Sequence, residues 1–150
     1  MKTLHVEVVP DFGMVRRVKL RLRAGVEGFE TETDMSAATP LRLPLSDLQQ
    51  LGTGRTDLLS LQVRDRDLEP LIFEDDWIVI DTSDTARRDR ELYAVNWDGE
   101  ACITQLQRRG GQWYLSFINP DFKPLNARSG WLSIVGRVVY QPGRMLTGRL

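Results

Sequence analysis

The feature that most constrains this chain is a succession of short apolar segments, separated by turn-forming residues, between positions 58 and 140. Each segment has the length and the alternating or continuous apolar character of a strand. The six predicted strands are 58–63, 77–81, 91–97, 101–108, 112–118 and 131–140. Asp-Gly at 98–99 and Gly-Gly at 110–111 predict two tight hairpins. This spacing favours a mainly β fold, built as bent antiparallel sheets or a barrel.

The upstream part of the chain predicts a further strand and one short helix. Apolar and basic residues alternate over 18–23, as in a strand with one face in water. Residues 28–34 are expected to continue it as an extended edge. The segment 43–52 has the single clear helix signature, with Ser46 as the N-cap and Gly52 beyond the end.

Composition restricts the class of protein. A chain of 150 residues with 41% hydrophobic and 27% charged residues is expected to be a globular domain. Its formal net charge of -1 gives no overall attraction to nucleic acid or to an anionic membrane. Cys102 is the only cysteine, which favours a reducing compartment. Because no apolar run resembles a membrane span or a signal peptide, we expect a cytoplasmic protein without a membrane partner.

The common catalytic and metal-binding patterns are missing from the sequence. His5, the sole histidine, has no second ligand at metal spacing and is interpreted as a solvated side chain. Asp76 and Asp81 bracket a strand, so turn and strand-end roles explain them better than a cation site. No phosphate loop or nucleotide fingerprint is found. The sequence therefore predicts no metal and no cofactor.

A series of motifs around the charged run Arg-Asp-Arg-Asp occurs in an informative order. They are Asp-Arg-Asp-Leu-Glu-Pro at 65–70, an acidic turn at 75–76, the strand 77–81, the hairpin 91–109, Asn-Pro-Asp-Phe at 119–122 and the closing strand 134–140. This order resembles the C-terminal domain of LexA and of the lambda-type phage repressors. The resemblance implies a signal-peptidase-like β fold in a family that includes self-cleaving serine peptidases.

The resemblance also implies where the chemistry of the family should lie. In such proteins the turn carries a nucleophilic serine, and the second strand of the hairpin carries the lysine that deprotonates it. Here the serine position is taken by Asp67 and the lysine position by Thr104. Ala24-Gly25 resembles the Ala-Gly bond that such repressors cut in themselves.

These replacements predict a domain that has lost peptidase activity. The family's route needs a hydroxyl nucleophile and an amine whose pKa is lowered by burial, and neither Asp67 nor Thr104 supplies them. Cys102 shares a strand face with Thr104 but is expected to be a small core residue rather than a nucleophile. Charged side chains are then tolerated in the turn, and Asp67 is expected to pair with Arg64, Arg66 or another arginine.

Without cleavage, the family role that remains is self-association. We therefore expect an oligomerisation domain of a phage-type transcriptional repressor, a homodimer or higher oligomer that reaches DNA only through a helix-turn-helix domain outside this chain. Residues 1–40 are predicted to be an arm or hinge with the pseudo-cleavage region, and 41–150 the LexA-like domain. The interface candidates are apolar residues of the last strand, for which core packing is an equal alternative: Trp131, Leu132, Val139 and Tyr140.

Two other functions remain open on the sequence alone. One is an unorthodox self-cleaving peptidase that cuts at Ala24-Gly25. The other is a binding module that uses the former substrate groove for a partner segment or for its own N-terminal arm. A repressor that does not cut itself needs another release mechanism, such as an antirepressor protein as a partner.

Overall fold

The structure, a computed structural model, describes residues 12–37, 39–52, 57–142 and 144–146. His5 lies outside these residues. The described part contains one α-helix and twelve strands, several of them very short. Their bounds are β1 (Phe12–Val15), β2 (Val18–Arg21), β3 (Glu30–Thr33), β4 (Leu41–Pro44), α1 (Leu45–Leu51), β5 (Leu58–Gln62), β6 (Trp77–Asp81), β7 (Leu92–Trp97), β8 (Glu100–Arg109), β9 (Gln112–Ser116), β10 (Leu125–Asn126), β11 (Leu132–Gln141) and β12 (Arg144–Met145).

An antiparallel sheet forms the centre of the fold, with strand order β10-β9-β8-β7-β11-β6-β5 and with β12 paired to β11. All of its pairings are antiparallel. Two smaller pairs, β1 with β4 and β2 with β3, complete the strands of the described chain. The prediction of a mainly β, antiparallel fold with one short helix is confirmed.

The two predicted hairpins are present and follow from their turn residues. Asp98 and Gly99 have φ of 51° and 96° between β7 and β8, and Gly110 and Gly111 have φ of 57° and 78° between β8 and β9. Positive φ at both central residues matches the right-handed twist of the flanking strands, which is why Asp-Gly and Gly-Gly recur in two-residue hairpins. These local signals fix the register of the three strands.

One face of the sheet is covered by the N-terminal strands. The first core cluster contains Val18 from β2, with Leu20 packed against it, together with Ile78, Ile80 and many other buried residues. Residues 28–34, predicted as an extended edge, form β3 and pair with β2. Strand β2 therefore contributes to the core, and the division into an arm over 1–40 and a domain over 41–150 stays a prediction.

The opposite face has two halves. Over β5, β6 and the end of β11, the pair β1–β4 and helix α1 build a second cluster that includes Val139 and Tyr140. Both are only 2% exposed, and the Tyr140 hydroxyl donates to Asp47 at 2.7 Å. For these two interface candidates the alternative of core packing is therefore confirmed and an exposed interface position is wrong, because α1 and β4 cover them. Over β7, β8 and β9 lies a third cluster, built around Tyr93, Val95, Leu106 and Leu115.

The start of the helix differs from the prediction. Pro44, the last residue of β4, is its N-cap, and no side chain caps the helix. Ser46 lies inside the first turn, because the proline leads the strand directly into the helix with φ of -54°. Gly52 ends the helix in the left-handed conformation, as predicted. Within the described residues, no helix is long and apolar enough to span a membrane.

Candidate functional site

The charged run lies in a compact turn between β5 and β6. Leu68 and Ile72 are fully buried in the first core cluster and anchor the turn from below. The amides of Leu71 and Ile72 both donate to the Leu68 carbonyl, and the Glu69–Pro70 peptide bond is cis. Anchoring by Leu68 holds the preceding residue, Asp67, at the edge of the core.

The ion pairs of this run differ from the expected ones. Arg64 pairs with Asp34 at 3.4 Å, and Arg66 pairs with Glu69 at 3.2 Å. Asp67 takes part in none of the ion pairs found among the described residues. The prediction that Asp67 pairs with Arg64 or Arg66 is therefore wrong.

Asp67 is a buried carboxyl in an unfavourable electrostatic environment. Its residue is only 8% exposed. Burial, and secondly the charge of Asp65, raise the pKa of Asp67 from 3.8 to about 6. The favourable contribution of its own backbone amide is too small to offset these two effects. A carboxyl with this pKa is mostly ionised at neutral pH, although the fold disfavours the charge.

Asp67 faces a small pocket of about 170 Å³ between the β2 strand and the central sheet. Apolar side chains from β2, β5 and β8 form most of the wall, and three carboxylates and two cations lie around it. The lining residues are Val18, Lys19, Leu20, Asp34, Leu61, Gln62, Val63, Arg64, Asp65, Asp67, Ala101 and Ile103.

Thr104 is fully buried on a neighbouring strand but does not line this pocket. Its hydroxyl donates to the Ser116 carbonyl of β9 at 3.1 Å. Strand alternation places Thr104 on the face of β8 that carries Cys102 and Leu106, whereas Ile103 faces the pocket of Asp67. The assignment of Asp67 and Thr104 to the dyad positions thus depends on motif order and spacing and stays a prediction.

The thiol of Cys102 is unsuited to nucleophilic chemistry. Burial, followed by the charges of Asp67, Asp65 and Glu100, raises its pKa to about 12. The thiolate, which is the reactive form, is therefore almost absent at neutral pH. Cys102 packs against the third core cluster, in agreement with the interpretation as a small core residue.

Asn119 joins the Asn-Pro-Asp-Phe loop to the turn of Asp67. Its side-chain amide donates to the Arg66 carbonyl at 2.9 Å, and its backbone amide donates to the Asp67 carbonyl at 3.0 Å. Its side-chain oxygen accepts from the Asp121 amide at 3.0 Å and so shapes the loop itself. The sequence marked this loop as a motif but gave Asn119 no role, because its partners are more than fifty residues away.

Ala24 and Gly25 form a turn at the β7–β8 hairpin. Gly25 has φ of 76°, and the Asn96 side chain donates to the Arg23 carbonyl at 3.0 Å. Gly99 lies so close that a Cβ there would be 3.1 Å from the Ala24 nitrogen. The Ala24-Gly25 bond does not line the pocket of Asp67. Its assignment as a pseudo-cleavage site stays a prediction.

Two of the four interface candidates remain accessible. Trp131 and Leu132 are half-buried, and both line an open depression beside Trp113 and Arg128. The Trp131 amide donates to Asp98 at 2.8 Å, which fixes the start of β11 against the β7–β8 turn. Among the described residues, no group of three or more His, Cys, Asp or Glu side chains is arranged to hold a metal ion.

The bent antiparallel sheet, the turn bearing Asp67, the β7–β8 hairpin and the Asn119 loop together define a LexA-like, peptidase-type β domain. Comparison with known families agrees with this class. The Peptidase S24-like family matches residues 18–139, which is most of the chain, and the protein belongs to that family. The family includes self-cleaving peptidases.

Individual relatives point in the same direction. The chain is 33% identical over 89 residues to the LexA repressor of Mycolicibacterium paratuberculosis, and 32% identical over 89 residues to that of Mycobacterium tuberculosis. These matches cover 59% of this chain but only 37% and 36% of the two repressors. The similarity is therefore to part of a LexA repressor.

Proposed function

We propose that this chain is the self-associating domain of a phage-type transcriptional repressor and that it does not cut itself. Membership of the S24-like family and the similarity to LexA repressors support the repressor class. The observation that carries the loss of cleavage is the turn itself, which presents the buried carboxyl of Asp67 where the family resemblance places a serine. A carboxylate is a weak nucleophile toward an amide, and among the residues that the structure describes no lysine is buried that could activate a nucleophile.

Lys19 is the amine that needs separate consideration, because it lines the same pocket. The chemistry of the family uses a buried amine, whereas the Lys19 side chain is exposed. The Ser36 hydroxyl makes the largest contribution to lowering the pKa of Asp34, followed by the Ser36 amide, then by the charge of Lys19 and lastly by that of Arg64. It therefore acts as a cation beside Asp34 rather than as a general base.

The surface that we assign to self-association is the half-covered part of the third core cluster, called the open face below. It comprises Trp97, Trp113, Phe117, Leu132 and Ile134. All cluster members come from β7, β8, β9, β11 and the short turns beside them, so in the described part of the chain no second layer covers this half of the sheet. Half-buried aromatic and aliphatic residues of this kind are typical of a homodimer interface.

Sedimentation velocity tests the proposal directly. The protein is expected to form a dimer or larger oligomer at micromolar concentration, and Leu132→Glu should weaken association at least tenfold by burying a charge in the interface. Met35→Glu is the matched control, because Met35 is 85% exposed and lies outside the open face. A strict monomer at high micromolar concentration would contradict self-association, and equal association of both variants would exclude the open face.

Intact mass spectrometry tests the loss of cleavage. After long incubation at alkaline pH, where family lysines become better bases, the chain is expected to remain whole. A clean break between Ala24 and Gly25 would instead establish the unorthodox peptidase. The double substitution Asp67→Ser with Thr104→Lys restores the residue types of the family. Cleavage by this variant would support the assignment of positions 67 and 104 to the catalytic dyad.

The position of β2 favours a second function, in which the former substrate groove binds a partner segment or the protein's own N-terminal arm. Val18 is only 1% exposed in the first core cluster, and Val18, Lys19 and Leu20 line the pocket of Asp67. The protein's own strand β2 therefore lines the pocket, which supports this function. Deletion of residues 1–40 should lower the free energy of unfolding and open the groove to partner segments; unchanged stability would argue against this function.

The remaining partners follow from the proposed class. DNA would be bound through a helix-turn-helix domain outside this chain, consistent with the chain matching little more than a third of the LexA repressors. Release from DNA without self-cleavage would require another mechanism, such as binding of an antirepressor protein.

A further inference from the structure

The pocket of Asp67 combines apolar walls with an excess of negative charge that the fold does not neutralise. Val18, Leu20, Leu61, Val63 and Ile103 supply the apolar surface. The carboxylates are those of Asp34, Asp65 and Asp67, and the cations are those of Lys19 and Arg64.

The two cations serve only one of the three carboxylates. Asp34 accepts from the Ser36 amide at 2.9 Å and from its hydroxyl at 2.6 Å, and it pairs with Arg64. Lys19 also acts on Asp34. In contrast, the described side chains provide Asp67 with no donor, although its residue is more than nine-tenths buried. Asp65 lies close enough to destabilise the Asp67 carboxylate further.

A largely buried carboxylate that receives no hydrogen bond from another side chain is costly, and a ligand cation lowers the cost by pairing with it. The shape of the pocket selects the kind of cation. Its carboxylates do not form a metal-binding cluster in the part of the chain that the structure describes. The apolar walls suit an alkyl chain with a charged end, as a lysine side chain has.

The size of the pocket limits the ligand to one short chain. Apolar cavities of about 150 Å³ hold a benzene-sized ligand. The pocket of about 170 Å³ therefore admits a chain of a few carbons, and it is too small for a ligand of drug size.

We propose that this pocket binds an alkylammonium group, with the Asp67 carboxylate pairing with the ammonium, Asp65 assisting, and the side chains of Leu61, Val63 and Ile103 packing on the alkyl chain. The group comes either from a lysine side chain of a partner protein or from a free amine. The proposal goes beyond repressor function and does not depend on oligomeric state or on loss of cleavage.

The test uses n-butylammonium chloride as the probe and n-butanol as the neutral isostere, followed by amide chemical shifts of the full chain at pH 7.5. Butylammonium should give saturable shifts at Val63, Asp67 and Ile103, while butanol should bind at least tenfold more weakly. Asp67→Asn keeps the shape of the side chain and should reduce butylammonium affinity at least tenfold. Asp121→Asn is the control, because Asp121 is exposed and does not line the pocket.

The pH dependence provides a second readout. Butylammonium affinity should fall as pH drops below about 6, because protonation of Asp67 removes the paired charge. The other charged groups around the pocket, Asp34, Asp65, Lys19 and Arg64, are common to the protein and to the Asp67→Asn variant. The variant should therefore lose this pH dependence.

The source of the amine is distinguished with N-acetyl-lysine methylamide. Tighter binding of this probe than of butylammonium assigns the site to a lysine of a partner protein, and equal or weaker binding assigns it to a free amine. The proposal is wrong if Asp67→Asn binds butylammonium as the unmodified protein does, or if no saturable shift occurs. Neither result would bear on self-association, which is measured separately by sedimentation.

Discussion

Asp34 and Asp67 line the same pocket and are both buried, but their surroundings differ in one respect. Asp34 accepts two hydrogen bonds from Ser36 and pairs with Arg64, and these contacts, led by the Ser36 hydroxyl, lower its pKa. Asp67 has no side-chain partner in the described part of the chain, and burial raises its pKa to about 6. Burial alone therefore does not decide the charge state of a carboxyl; the number of donors that the fold supplies does.

The comparison separates a structural carboxylate from a functional candidate. The Asp34 turn satisfies its own charge and so stabilises the connection that follows β3. The Asp67 turn supplies no side-chain donor to the Asp67 carboxylate. The charged form of Asp67 therefore lowers the stability of the fold. Unsatisfied buried charges concentrate at sites of binding or catalysis.

Replacement of Asp34 should have the largest effect on stability. Asp34→Ala removes the acceptor of both Ser36 donors and the partner of Arg64, and is expected to lower the free energy of unfolding by about 2–3 kcal/mol in urea denaturation at pH 7. Ser36→Ala, which removes one hydrogen bond, should cost about 1 kcal/mol. If Asp34→Ala costs no more than Ser36→Ala, the described contacts do not stabilise the turn.

Replacement of Asp67 should raise the free energy of unfolding, whereas replacement of Asp34 should lower it. A carboxyl whose pKa is raised from 3.8 to about 6 lowers stability as pH rises through that window, because the unfolded chain releases its proton first. Asp67→Asn should therefore be more stable than the unmodified protein by about 1–2 kcal/mol at pH 8, less than the full conversion of the shift because solvent enters the pocket. The difference should vanish near pH 4. A constant difference across this range would contradict the assignment.

The smallest effect is expected at Asp65. Asp65→Asn removes the second cause of the raised pKa of Asp67, and should increase stability at pH 8 by about 0.5 kcal/mol while moving the midpoint of the pH dependence to lower pH. Asp75→Asn, at an exposed position in the next turn, provides the control and should leave the midpoint unchanged. If the midpoint of the pH dependence is unchanged in both variants, burial alone raises the pKa of Asp67.

The central strands and hairpins could be predicted because their signals are local. Alternation over β8 and the Asp-Gly and Gly-Gly turns need no information from elsewhere in the chain. By contrast, β1 and β4 were missed: each has four residues, and each is a strand only because it pairs with the other. The sequence left interface and core packing as equal alternatives for Val139 and Tyr140, because the cover that buries them comes from β4 and α1.

The candidate site could be located but not described from the sequence. Motif order indicated the turn of Asp67, the hairpin and the Asn119 loop. The predicted pairing of Asp67 with a nearby arginine is wrong. Arg64 instead pairs with Asp34, a residue thirty positions earlier that the fold brings to the pocket. A single sequence gives charges and turns, and the pairing of charges depends on tertiary distances.

The two hydrogen bonds from Asn119 to the carbonyls of Arg66 and Asp67 have a mechanical consequence. Asn119 thus binds the two peptide units that flank the α-carbon of Asp67, while its side-chain oxygen shapes its own loop through the Asp121 amide. A partner that binds and displaces the Asn119 loop should therefore also change the orientation of the Asp67 carboxyl. Binding at the protein surface would thus be transmitted to the buried carboxyl through one residue, Asn119.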